Sequence, residues 1–227
     1  CRPQIPGPPT VERKQSRAAD TFTHGETVNY NDFIGEKLST IPPTGLASVP
    51  DLSRYQMFPH QVDLVSWAIK RGRAAIFADT GLGKSRMQVA WADCVREAAG
   101  GFVLILAPLA VAQQTVQEGA SIGVNVTQVR DGSEVTEPGI YVTNYDRLHR
   151  FDCSRFGAVV LDESSCIKHH DTKTLRTLLD AFRSTPFKLC ATATPAPNDW
   201  TELGTHAEFL GICTRPEMLA EFFTHDG

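Results

Sequence analysis

One stretch, Ala78-Asp79-Thr80-Gly81-Leu82-Gly83-Lys84-Ser85, constrains this chain more than any other. It follows the apolar run Ala74-Ala75-Ile76-Phe77, which reads as a buried strand, and it opens a segment with helical periodicity. Strand, glycine-rich turn, helix is the order that a phosphate-binding loop requires. Gly81 and Gly83 let backbone N–H groups turn inward around phosphates, and the helix start adds its partial positive charge at the same place. In that arrangement Lys84 reaches the terminal phosphates of a nucleoside triphosphate and Ser85 the accompanying magnesium ion. Asp79, Thr80 and Leu82 complete the loop. Gly-Lys-Ser in isolation is equally compatible with a tight turn and a solvated lysine, so the assignment needs a second motif.

That motif is Asp162-Glu163-Ser164-Ser165, at the end of the apolar run Ala158-Val159-Val160-Leu161. The run suits a central parallel strand. Adjacent acids at such a strand end are costly to desolvate without a function. Division of labour supplies one: Asp162 holds the magnesium shell, and Glu163 polarises the water that attacks the terminal phosphate.

The 227 residues are 41% hydrophobic and 21% charged, enough for one full core and a smaller appendage. Residues 1–50 read as a flexible proline-rich extension, because Pro3 to Pro9, Pro42-Pro43, Gly45 and Pro50 interrupt any period. Residues 51–227 read as the ordered domain. The chain begins with Cys1, which suggests a fragment or a processed chain. No apolar run is long enough for a bilayer span and no charged-then-apolar leader is visible, so a cytoplasmic location and no membrane partner are expected.

Six cysteines are scattered without a Cys-x-x-Cys pair, and a disulfide framework is not expected. Cys166 with His169 and His170 has a superficial metal-ligand look, but it reads better as a solvated polar turn. A net charge of −4 argues against a general attraction to nucleic acid. Basic residues cluster at Arg147, His149, Arg150 and Arg155 and at Lys168, Lys173 and Arg176, patterns that usually form a solvated face.

From Tyr55 onward the pattern is regular. Pro59 starts a helix with Val65, Ala68 and Ile69 on one face, and Met87, Ala90, Trp91, Cys94 and Val95 form a core stripe after the loop. Strands are expected at 102–106, 124–129, 140–143, 158–161 and 187–191. Helices are expected at 109–118, at 200–211, at 216–223 and around Leu175, Leu178, Leu179 and Phe182 with Asp171 as N-cap. Strand alternating with helix implies an α/β fold, a mostly parallel sheet with helices on both faces.

The order of motifs resembles the first RecA-like lobe of superfamily 2 helicases and translocases. The resemblance rests on Gln61, Ala78 to Ser85, Ala107-Pro108-Leu109, Thr143-Asn144-Tyr145, Asp162 to Ser165 and Ala191-Thr192-Ala193-Thr194-Pro195, and it covers residues 55 to 225. Alanine at the first loop position is that superfamily's own variant. The Asp-Glu-Ser-Ser and Thr-Asn-Tyr motifs are closest to the Swi/Snf-related branch, including bacteriophage helicases, which makes a bacterial or phage-infected cell the expected setting.

The resemblance implies roles by position. Gln61 would read the adenine edge of ATP. Ala107, Pro108, Thr143 and Asn144 would hold one nucleic-acid strand, DNA before RNA, by its phosphates. Thr192 and Thr194 would couple nucleotide state to that grip, although Ala-Thr-Ala-Thr-Pro departs from the Thr-Gly-Thr-Pro common in Swi/Snf relatives. A second RecA-like lobe is expected in the full-length protein, because the residues after Pro195 are too few to form one; the single lobe is therefore expected to hydrolyse ATP weakly. Two other readings stay open: a nucleotide-binding interaction module without motor activity, and the translocase subunit of a restriction-type system.

Overall fold

The computed structural model describes residues 42–167 and 173–223. Most of the proline-rich extension, Lys168, His169, His170 and the expected N-cap Asp171 lie outside these residues. Along the chain come α1 (Pro59–Arg71), β1 (Arg73–Phe77), α2 (Lys84–Arg96), β2 (Phe102–Ala107), α3 (Ala112–Ser121), β3 (Val126–Gln128), β4 (Gly139–Asn144), β5 (Ala158–Asp162), α4 (Lys173–Ala181), β6 (Phe187–Thr192), α5 (Leu203–Leu210) and α6 (Arg215–Phe222). The six strands form one sheet in the order β1-β6-β5-β2-β4-β3, every neighbouring pair parallel.

Alternation along the strands divides the core in two. Val103, Ile105, Val160 and Leu189 face one side, where they join Val65, Ile69, Trp91 and Val95 from α1 and α2. Leu104, Leu106, Val159, Leu161 and Cys190 face the other, against Leu175 and Leu178 of α4, Phe182 just after it, and Phe209 of α5. Helix α2 is buried more completely than its apolar stripe suggests. Gln88, Val89 and Ala92 are also buried, because the helix lies against α1, α3 and the middle of the sheet at once. Among the described residues no helix is long and apolar enough to cross a membrane.

The segment before the domain has a structural task. Thr44, Gly45 and Leu46 donate their backbone N–H groups to the carbonyls of Arg71, Lys70 and Ile69 at 3.0–3.2 Å, satisfying the open end of α1. Gly45 is required there, since a Cβ would lie 1.9 Å from the Ile69 carbonyl oxygen.

Lys188, in the middle of this hydrophobic architecture, is buried on β6. Its Nζ donates to the Phe209 carbonyl at 2.9 Å and sits 4.9 Å from the Phe209 ring centroid. The carbonyl belongs to the last turn of α5, where the helix dipole favours a cation. Burial nevertheless pushes the ammonium from 10.5 down to about 8, with Arg73 adding repulsion. A folded-state value below the unfolded one means that the unfolded chain binds more protons between those limits, so stability rises with pH across that window. Wild type is expected to gain urea resistance relative to Lys188→Met between pH 8 and 10.5. Parallel stability curves for the two proteins would show that this lysine reaches solvent.

Candidate functional site

The phosphate loop, the acidic turn and the ends of β2, β4 and β6 lie together at the carboxyl edge of the sheet. The phosphate loop leaves β1 at Phe77 and enters α2 at Lys84. Gly81 and Gly83 have φ of +85° and +75°, the left-handed conformation that turns successive N–H groups toward one concave side. Asp79 Oδ1 accepts from the Thr80 N–H at 2.6 Å. Lys84 Nζ donates to the carbonyls of Ala78 at 3.0 Å and Asp79 at 3.2 Å, so the ammonium lies across its own loop.

Gln61 braces the loop from α1. Its Oε1 accepts from the Phe58 N–H and its Nε2 donates to the Leu82 carbonyl, both at 2.9 Å. Both ends of the amide are thus tied to backbone, and the residue is buried. A Cβ on Gly83 would come within 2.3 Å of Gln61 Nε2, whereas one on Gly81 would meet nothing within 4 Å. Either alanine carries left-handed strain of about 1–3 kcal/mol. Gly83→Ala must also displace Gln61, so it is expected to weaken nucleotide binding more than Gly81→Ala does. Equal losses on titration with a fluorescent nucleotide would count against the brace.

The acidic turn faces the loop. Asp162 closes β5 in register with Ala191 and is buried. Its Oδ1 accepts from Gln88 Nε2 at 2.6 Å and from the Glu163 N–H at 3.0 Å. Burial pushes this carboxyl above the usual carboxylate range, opposed by the Gln88 hydrogen bond and by the charge of Lys84. Glu163 has φ of +49°, a conformation costing a non-glycine residue about 1–2 kcal/mol. Its Oε2 accepts from Thr192 Oγ1 at 3.4 Å, and Thr192 Oγ1 accepts from the Thr194 N–H at 3.1 Å. The Thr192 carbonyl accepts from the Ala78 N–H at 3.2 Å. Thr192 therefore links the acidic turn to the start of the phosphate loop.

A cavity of about 570 Å³ lies between these groups. Loop residues Thr80, Gly81, Gly83, Lys84 and Ser85 line it with Asp162 and Glu163, together with Phe58, Gln61, Arg86, Val111, Gln114 and Glu118. Arg86 is held by Glu118 Oε1 at 2.6 Å, the Gln56 carbonyl at 3.0 Å and Ser121 Oγ at 3.3 Å. The Ser85 hydroxyl and Asp162 carboxylate are hard oxygen donors of the kind magnesium takes, beside a cationic loop suited to phosphates. The residues present fit ATP with Mg2+.

Ala107, Thr143 and Asn144 stand side by side at the ends of β2 and β4, where Leu106 pairs with Thr143 and Ala107 with Asn144. All three are buried. Thr143 Oγ1 and Asn144 Oδ1 have no hydrogen-bond partner among the described residues. Pro108 follows, and its carbonyl accepts from the Val111 N–H at 2.9 Å in a turn that leaves Leu109 exposed and starts α3 only at Ala112.

The sequence profile of DEAD/DEAH box helicases matches residues 58–203. The chain belongs to that family. No curated protein sequence matches it. Among solved structures, the Sulfolobus solfataricus SWI2/SNF2 ATPase core in complex with double-stranded DNA superposes with a TM-score of 0.59 at 20% identity, covering 80% of this chain and 40% of that one. The UvsW helicase of bacteriophage T4 gives 0.57 at 17% identity, covering 83% and 67%. The Pyrococcus furiosus Hef helicase domain gives 0.56 at 18% identity, covering 73% and 39%. These likenesses establish the RecA-like fold. The chain spans well under half of the SWI2/SNF2 core.

Within this helicase-family lobe, several residues at the site carry no sequence signature. Arg86, Gln114 and Glu118 line the cavity and Gln88 holds Asp162, whereas Tyr145, which the Thr-Asn-Tyr motif includes, donates its hydroxyl to the Asp162 carbonyl at 2.7 Å. Gln88 left one local clue, as a polar residue between Met87 and Val89 in a buried helix.

Proposed function

We propose that this chain is the ATP-binding lobe of a DNA helicase or translocase, which hydrolyses ATP with Mg2+ to drive movement on nucleic acid. The observation that carries the reading is the convergence of Lys84, Ser85, Asp162 and Glu163 around one cavity at the carboxyl edge of a parallel sheet, with Thr192 bonded to Glu163. Lys84 and the loop N–H groups bind and orient the phosphates. Ser85 and Asp162 would hold Mg2+, which would supply positive charge against the charge that develops on the phosphates. Glu163 accepts the proton of the attacking water. Thr192, in contact with both Glu163 and the phosphate loop, relays nucleotide state toward Thr194. DNA as the track, gripped near Pro108 and Asn144, is supported by the SWI2/SNF2 core bound to double-stranded DNA among the similar structures.

The test is ATP turnover with and without duplex or single-stranded DNA, with Glu163→Gln as the blank. DNA-stimulated turnover that the blank abolishes is the expected result. Tight nucleotide binding with no turnover above the blank under any condition, even with a second lobe attached, would instead favour a nucleotide-binding interaction module.

A further inference from the structure

The left-handed backbone at Glu163 is held from both sides, by Tyr145 of the Thr-Asn-Tyr motif and, through Ser164, by His206, which belongs to no motif singled out above. On the amino side, the Tyr145 hydroxyl donates to the Asp162 carbonyl at 2.7 Å. On the carboxyl side, Ser164 Oγ and His206 Nε2 lie 3.0 Å apart in a hydrogen bond. Ser164 and His206 are 0% and 2% exposed, so water does not compete for either group. The His206 ring also meets Phe77 edge-on, with centroids 5.4 Å apart and planes at 83°. Phe77 is the last residue of β1, directly before the phosphate loop. His206, on α5, therefore touches both the strand that feeds the phosphate loop and the residue that follows Glu163. Burial pushes its imidazole down to about 4, so the ring is neutral at physiological pH and can serve as donor or acceptor to Ser164.

We propose that His206 is a positioning residue for Glu163: through Ser164, and opposite Tyr145, it clamps the strained turn that aims the Glu163 carboxylate into the cavity. A strained conformation persists only where its surroundings over-determine it, and these two hydrogen bonds do so on either side of the residue. The inference rests on Glu163 acting as the base, but the clamp itself is a separate claim about the backbone.

Two measurements on the whole chain separate those claims. The first is amide hydrogen exchange over residues 162–167 in wild type, His206→Leu, His206→Gln and Tyr145→Phe. The second is single-turnover ATP hydrolysis with protein in excess, alongside nucleotide affinity. Faster exchange confined to the 162–167 segment is expected in His206→Leu and Tyr145→Phe. The hydrolysis rate is expected to fall about ten- to a hundredfold at unchanged nucleotide affinity. His206→Gln, which keeps a hydrogen-bonding group near the Nε2 position, is expected to recover most of both. If His206→Leu exchanges and hydrolyses like wild type, there is no clamp. A fall in affinity as large as the fall in rate, with no rescue by glutamine, would make His206 a general packing residue and overturn the proposal. Should wild type itself not exceed Glu163→Gln, the base assignment fails while the exchange data still decide the clamp. His206→Gln and Tyr145→Phe keep the test informative if His206→Leu does not fold.

Discussion

Glu163→Gln is expected to slow ATP hydrolysis by about 10²–10⁴-fold, the usual contribution of a positioned general base, while leaving nucleotide affinity unchanged. Glutamine matches the shape of glutamate and can still accept from Thr192 Oγ1, so the turn and its link to β6 survive the change. What it loses is the capacity to take a proton from water. The groups proposed to bind the phosphates, Lys84 and the loop glycines, are untouched. The experiment is a single-turnover assay with protein in excess, read beside a fluorescent-nucleotide titration. Hydrolysis by the variant at the wild-type rate would remove Glu163 from the base role. A parallel loss of affinity would instead make it a ground-state ligand of the nucleotide or its metal. Asp162 differs in this respect: its Oδ1 fixes both Gln88 and the Glu163 N–H, so Asp162→Ala is a poor probe of chemistry because it dismantles the turn as well.

The strands were legible because a parallel sheet covered on both faces is apolar throughout, and Phe102 to Leu106 or Ala158 to Leu161 can hardly be read otherwise. The structure carries four of them one residue further, to Ala107, Asn144, Asp162 and Thr192. These are the residues singled out for function, and the polar ones hide a strand end from a hydrophobicity reading. Their place on the ladder matters chemically, since backbone pairing fixes Asp162 against Ala191 and Asn144 against Ala107 more rigidly than a loop would. The sheet order was not legible, because β6 inserts between β1 and β5 through contacts over a hundred residues apart, such as Ala75 with Cys190. The phosphate loop and the acidic turn could be found because each is contiguous. Gln88, His206 and Arg86 could not, since each acts through a partner distant in sequence, and Tyr145 is legible within the Thr-Asn-Tyr motif but without its bond to the Asp162 carbonyl. Gln61, expected from its position to read the adenine edge, has both ends of its amide on backbone groups of Phe58 and Leu82, a bracing contact that the sequence does not show.

Turnover by this chain alone is expected to lie about 10³–10⁵-fold below that of a protein joining it to a second RecA-like lobe. Phosphoryl transfer spreads negative charge over the oxygens of the transferring group, and an arginine held there accounts for that range in related nucleotide hydrolases. Among the described residues lining the cavity, the cationic side chains are Lys84 and Arg86. Lys84 serves the loop, and Arg86 is tied to Glu118, the Gln56 carbonyl and Ser121. On the proposed reading the lobe would assemble the metal and base side of the site, and among the described residues lining the cavity no arginine other than the tethered Arg86 is present to serve the transferring phosphate. An arginine from a second lobe would have to arrive opposite Glu163, which would make hydrolysis conditional on the two lobes closing and so link chemistry to movement on a strand. The comparison is DNA-stimulated turnover of the chain alone against a two-lobed protein, with and without substitution of the incoming arginine. Equal turnover in the two would mean that the lobe completes its own site, by self-association or by rearrangement of Arg86, and a combined Arg86→Lys and protein-dilution series would tell these apart.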